Sequence, residues 1–90
     1  HADLYITSTT AASDGMAFHP DQQVVRVKKA MIAHSTRQFL LMDHSKFGKT
    51  ALHRFAPLTT FERVIVDAGL DPQEAARLRE MGVQLDLARL

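Results

Sequence analysis

The stretch Gln38-Phe39-Leu40-Leu41-Met42-Asp43-His44-Ser45-Lys46-Phe47-Gly48-Lys49 decides how the chain reads. Four bulky apolar residues, Phe39 to Met42, stop abruptly at an acid, a hydroxyl, a lysine and a glycine. Such a run reads as a short strand buried on both faces, the kind that parallel sheets contain. Open α/β sheets bind ligands in the crevice beyond the carboxyl ends of their strands. Asp43, Ser45 and Lys46 fall at that point and mark the centre of an expected binding site. The carboxylate accepts bonds from hydroxyls, the ammonium neutralises an anion, and Gly48 leaves room for the loop to fold against a ligand. A solvated strand-end salt bridge accounts for the same residues equally well.

Outward from this strand the pattern repeats. Ala2 to Ser8 reads as a strand centred on Leu4, Tyr5 and Ile6. Thr9-Thr10-Ala11-Ala12-Ser13-Asp14-Gly15 reads as a small, hydroxyl-rich loop with a turn at Asp14-Gly15. It is either a solvated turn or a set of hydroxyls and amides suited to a polar or anionic ligand. Asp21 is placed to cap a helix running from Gln22 to about Ser35, with Val24, Val27, Met31 and Ser35 on one face, Val25 and Ile32 beside it, and Lys28 and Lys29 as a solvated flank. Thr50 to Pro57 reads as extended, and Thr59 or Thr60 as the cap of a single turn. Arg63-Val64-Ile65-Val66-Asp67 repeats the apolar run ending in aspartate. Asp71-Pro72-Gln73-Glu74 is a helix start, with Asp71 as cap, Pro72 in the first turn and Glu74 reaching back to the cap amide. Ala75, Leu78 and Met81 form its buried stripe, Gly82 ends it, and Val83 to Leu87 alternates as a half-buried edge strand. Strands alternating with helices predict an α/β fold with a mainly parallel sheet and flanking helices. Two helices cover such a sheet poorly, so a further part of the protein or a partner chain is expected to complete it.

Composition narrows the function. Ninety residues with 46% hydrophobic content make one small folded domain, and a net charge of +1 gives no electrostatic case for nucleic acid or a membrane surface. The absence of cysteine removes disulfides and thiolate metal sites and is compatible with a reducing cytoplasm. No apolar stretch approaches a spanning helix. The first residue is His1 rather than Met, which points to a fragment of a longer protein. The five histidines lack the i,i+4 spacing of a helical zinc site, so no metal is expected; Ser45 has no glycine-flanked elbow, and phosphate-binding glycine loops are absent.

Taken in order, Val27-Lys28-Lys29-Ala30-Met31-Ile32, then Leu40-Leu41-Met42-Asp43-His44-Ser45-Lys46-Phe47-Gly48, then Val64-Ile65-Val66-Asp67 resemble the C-terminal effector domain of DeoR-family transcriptional regulators. Ala2-Asp3-Leu4-Tyr5-Ile6 and the loop ending at Gly15 resemble the strand and turn before that helix. The resemblance spans essentially the whole chain, as the C-terminal half of the effector domain. It implies a fold similar to ribose-5-phosphate isomerases, a winged helix-turn-helix and the first half of the effector domain lying outside this chain, and a homo-oligomer in the cytoplasm. It also implies a phosphorylated sugar as effector, whose binding shifts affinity for operator DNA, with no cofactor. By the same resemblance Lys28 and Lys46 are the charge partners of the ligand, Asp43 takes sugar hydroxyls beside Ser45, and Thr9, Thr10 and Gly15 are loop contacts. The isomerases carry Arg-Glu-Lys where this helix reads Arg26-Val27-Lys28. Valine cannot abstract a proton from carbon, so a sensor rather than an enzyme is expected. Many regulators of the family also carry an acid where this helix reads Gln23-Val24. A sugar-phosphate isomerase and a purely structural oligomerisation domain are the alternatives.

Overall fold

The computed structural model describes residues 2–89. In chain order these form β1 (Ala2–Ser8), β2 (Ala11–Ser13), β3 (Met16–His19), α1 (Gln22–Ala33), β4 (Ser35–Met42), β5 (His53–Pro57), β6 (Arg63–Asp67), α2 (Pro72–Glu80) and β7 (Leu85–Ala88). Single 3₁₀ turns occupy His44–Lys46 and Leu58–Thr60. Four strands make an all-parallel sheet in the order β1-β4-β6-β7, and three make an antiparallel sheet in the order β2-β3-β5. This is the mixed α/β fold with a parallel sheet that the alternating pattern predicts.

The helix starts follow the local chemistry read from the sequence. Asp21 accepts the backbone N–H of Gln23 at 2.8 Å, and Asp71 accepts that of Gln73 at 2.9 Å. Glu74 does not reach back to its cap. It binds the Arg77 guanidinium at 2.8 Å, a stronger charge-assisted pairing one turn away. Gly82 closes the second helix with φ +95°, the left-handed conformation glycine adopts freely.

The small-residue stretch after β1 is a hairpin rather than a loop. Asp14 and Gly15 both have positive φ, as a two-residue hairpin turn of the primed type requires, so Ala11–Ser13 and Met16–His19 pair. The apolar stripe of α1 is also displaced from the expected one. Val25 is buried and Ile32 packs against the core, whereas Val27 is 62% exposed and Met31 faces solvent. Lys28 lies on the same inward side, its ammonium on the Ser8 carbonyl and over the Phe55 ring.

The parallel sheet is buried on one face only. Leu40, Met42, Val64, Val66 and Leu85 join Val25, Ala75 and Leu78 of the helices and Ala12, Ala17 and Phe55 of the small sheet in one core. On the other face Leu4, Ile6 and Leu41 are exposed, with Phe39 and Ile65 half-buried beside them. The strand order explains this. Every crossover steps the same way, from β1 to β4 to β6 to β7, and right-handed crossovers then lay all covering elements on one side. The run Phe39–Met42 is therefore not buried on both faces: Leu40 is sealed and Leu41 is open.

Candidate functional site at the carboxyl rim of the parallel sheet

Parallel pairing brings the carboxyl ends of β1, β4, β6 and β7 to one rim. Ser8 lies beside Leu41, Met42 beside Val66, and Asp67 beside Ala88. Asp43 leaves β4 at this rim and caps the 3₁₀ turn after it. Its Oδ1 accepts the Ser45 N–H at 2.9 Å, and its carbonyl accepts the Lys46 N–H at 3.0 Å. The Ser45 backbone bond, then the Ser45 side chain, hold the Asp43 carboxyl below the ordinary aspartate range. The loop that follows is tied to the small sheet by the Gly48 N–H, which donates to the Ala12 carbonyl at 2.8 Å.

Asp67, ending the neighbouring strand, is the organising acid of the rim. Its Oδ1 accepts the His44 backbone N–H at 2.7 Å, its Oδ2 lies 2.6 Å from His44 Nδ1, and the Gly69 N–H donates to Oδ2 at 3.2 Å. These bonds, the His44 backbone N–H foremost, lower its pKa, so the group is a carboxylate that only accepts. The hydrogen-bond network therefore assigns the proton to Nδ1, leaving Nε2 as the free ring nitrogen. Gly69 makes the arrangement possible. A Cβ there would stand 2.7 Å from two atoms of the His44 ring.

A cavity of about 440 Å³ opens over these groups, with Asp43, His44 and Asp67 on its polar rim and Leu41, Ile65 and Ala88 on its apolar wall. The wall belongs to the open face of the sheet. Two carboxylates on one rim accept bonds from hydroxyls and repel a bare anion. The same three side chains each place one donor atom within 4.8 Å of the others and are the described group able to hold a cation. In the structure those donors satisfy one another and the adjacent backbone.

The structure brings some of the anticipated residues to this rim and places others elsewhere. Asp43, Ser45 and Lys46 share the turn at the end of β4, with Lys46 half-buried and outside the cavity lining. Lys28 approaches from α1, on the covered side of the sheet. Its Nζ donates to the Ser8 carbonyl at the end of β1 and stands 5.2 Å from the centre of the Phe55 ring, and burial lowers its pKa. It too is absent from the cavity lining. Thr9 is buried, with its hydroxyl donating to the Phe18 carbonyl at 2.8 Å, and the exposed Thr10 hydroxyl lies 3.5 Å from the same carbonyl. Gly15 sits at the opposite end of the sheet. Its carbonyl accepts the Leu58 N–H at 2.8 Å, and its Cα faces Met81. His44 and Asp67 are the rim residues not singled out from the sequence. The signal for Asp67 was present, as a second apolar run ending in aspartate on what became the adjacent strand.

Among the described residues no helix is long and apolar enough to cross a membrane. Residues 1–68 match the family model of the DeoR C-terminal sensor domain. The chain is 43% identical over 85 residues to an HTH-type transcriptional regulator of uncharacterised role from Haemophilus influenzae, covering 94% of this chain and 33% of that protein. It is 33% identical over 75 residues to the glycerol-3-phosphate regulon repressor of Escherichia coli, covering 83% of this chain and 30% of the repressor. To the HTH-type regulator YulB of Bacillus subtilis it is 33% identical over 72 residues, covering 80% and 28%. The chain thus spans about a third of the length of the curated relatives it matches. The match to this sensor domain and to these regulators, with which the parallel-sheet α/β fold agrees, places the chain in the DeoR family of transcriptional regulators.

Proposed function

We propose that this chain is the effector-sensing part of a cytoplasmic DNA-binding repressor, and that it recognises a phosphorylated sugar or a related intermediate at the carboxyl rim of the parallel sheet. The observation that carries this reading is the cavity of about 440 Å³ whose rim is Asp43, His44 and Asp67. Sugar hydroxyls donate to the two carboxylates, and the phosphate lies toward Lys46, away from the acids; Lys28, on the covered side of the sheet and bound to the Ser8 carbonyl, takes no part. Ser45 fixes the Asp43 carboxylate from below. The relatives are transcriptional regulators, one of them named for the glycerol-3-phosphate regulon, which supports a sensor rather than an enzyme. Val27, where a carboxylate base would stand in an isomerase, is a solvent-facing valine.

The open sheet face bears on the rest of the protein. Leu4, Ile6 and Leu41 form an apolar patch continuous with the cavity wall. In this reading a part of the regulator outside this stretch packs there and closes the cavity, and a helix-turn-helix elsewhere in the protein engages operator DNA within a homo-oligomer. Ligand and DNA are then linked, each altering affinity for the other by the same factor.

The test is a thermal-shift screen of the intact regulator against sugar phosphates, repeated with Asp43→Asn and Lys46→Ala. A bound effector at about a thousand times its Kd stabilises by about 4 kcal/mol. Stabilisation by at least one sugar phosphate, reduced in both variants, is the expected result. Stabilisation by none refutes the reading.

A further inference from the structure

His44 is an exposed side chain whose ring is hydrogen-bonded across to the neighbouring strand. Its backbone N–H and its Nδ1 are both bound to one carboxylate, at 2.7 and 2.6 Å, and that carboxylate is fixed in turn by the Gly69 N–H. The ring lies where only a glycine at position 69 leaves space for it. Orienting a solvated imidazole through a ring bond to Asp67 on the neighbouring strand is costly in side-chain entropy, and a simple loop tie needs only the backbone bond. The second ring nitrogen has no partner among the described residues, and the ring lines the rim cavity.

We propose that His44 is the specificity-determining contact of this rim, its Nε2 engaging a hydroxyl on the carbon chain of the phosphorylated effector, with Asp67 and Gly69 as its positioning residues. The proposal rests on the effector site described above. The chemistry is that of ligand-binding imidazoles generally: the bond made by one nitrogen fixes the tautomer and direction of the other. With Nδ1–H given to Asp67, Nε2 is left to hydrogen-bond a ligand hydroxyl, a group that both donates and accepts. Asp43, on the same rim, takes a second hydroxyl. Two contacts fixed in this way read the relative placement of two hydroxyls. A phosphate placed on the same rim meets two carboxylates instead.

Two substitutions separate this role from that of a loop tie. An asparagine amide nitrogen superimposes on Nδ1 of histidine and a glutamine amide nitrogen on Nε2. His44→Asn therefore keeps the bond to Asp67 and removes the outward contact, and His44→Gln does the reverse. Glycerol 3-phosphate, fructose 6-phosphate, glucose 6-phosphate and inorganic phosphate are titrated into the intact regulator, with melting temperature and Kd read for each variant. The expected result for His44→Asn is a ligand-free melting temperature close to that of the unsubstituted protein, with at least about tenfold weaker binding of the preferred sugar phosphate. His44→Gln melts lower and retains more of the binding than His44→Asn, and Gly69→Ala, which drives the ring out of place, loses the discrimination among sugars. Unchanged affinity and selectivity in His44→Asn overturns the proposal and leaves His44 as a tie between loops. A destabilised His44→Asn is resolved on the unsubstituted protein, where saturating ligand must shift the His44 ring resonances by NMR, and unmoved resonances overturn the proposal. Failure of the unsubstituted protein to bind any of the sugar phosphates is a different result, which refutes the effector reading itself.

Discussion

Leu40 and Leu41 are chemically identical neighbours whose truncation separates the two faces of the sheet. Leu40 is 0% exposed and lies in register with Thr7 and Val64 in the middle of the core. Removing its isobutyl group leaves a cavity that the flanking strands cannot close, and such truncations cost about 2–5 kcal/mol. Leu41 is 44% exposed on the open face. Roughly half of its transfer free energy is lost and no enclosed cavity forms, so Leu41→Ala costs about 1 kcal/mol. For a chain of this size each kcal/mol is worth about 4–8 °C, so Leu40→Ala falls by roughly 10 °C or more and Leu41→Ala by about half that or less. Thermal and urea unfolding of the ninety-residue chain, followed by circular dichroism, measures both. Equal losses in the two variants refute the one-sided sheet. The same pair made in the intact regulator is a second readout, because a segment packed over Leu4, Ile6 and Leu41 raises the cost of Leu41→Ala toward that of Leu40→Ala.

Three further outcomes follow from the geometry. Asp43 and Asp67 have folded pKa values below the ordinary 3.8, so their contribution to stability is complete above that value and drains away as pH falls through the lowered ones; Asp67→Asn flattens the dependence of the urea midpoint on pH below about 4, and an unchanged slope contradicts the hydrogen bonds assigned to Asp67. Gly15→Ala forces a left-handed φ of +77° on alanine and brings Cβ within 2.4 Å of Met81 Cε; it costs about 1 kcal/mol or more, and adding Met81→Ala recovers only the steric part, which a double-mutant comparison of melting temperatures reads. Asp71→Ala removes the bond to the Gln73 N–H and costs about 1 kcal/mol, with faster amide exchange confined to the first turn of α2.

Much of the fold was legible because local chemistry and tertiary structure agree along most of the chain. Asp21, Asp71-Pro72 and Gly82 mark helix ends by the hydrogen bonds and dihedral angles they provide, and the structure uses them so. The small sheet was not read because Ala11-Ala12-Ser13 carries no apolar alternation; only the Asp14-Gly15 turn announces the hairpin, and its partner strand β5 lies far along the chain. The one-sided burial of Phe39–Met42 was also hidden, since a run of apolar residues looks the same whether its second face meets helices or remains open. Strand order decides that, and no local pattern encodes it. At the site, Asp43, Ser45 and Lys46 were visible as the polar end of an apolar run. Asp67 was visible in the same way, but its pairing with His44 was not, because that bond spans 23 residues and exists only once β4 and β6 lie side by side. Lys28 reads as a solvated flank, and its capture by the Ser8 carbonyl depends on how α1 is rotated against β1.

The central claim is that the acidic rim between β4 and β6 holds the hydroxyls of a phosphorylated sugar. A crystal structure of the intact regulator with a sugar phosphate that stabilises it measures this directly. The account predicts ligand hydroxyls within hydrogen-bonding distance of the Asp43 carboxylate and His44 Nε2, with the phosphate on the Lys46 side of the rim. Ligand density elsewhere, such as the cavity beside Lys29 and Arg54 between α1 and β5, with the Asp43–Asp67 rim left to solvent, contradicts it.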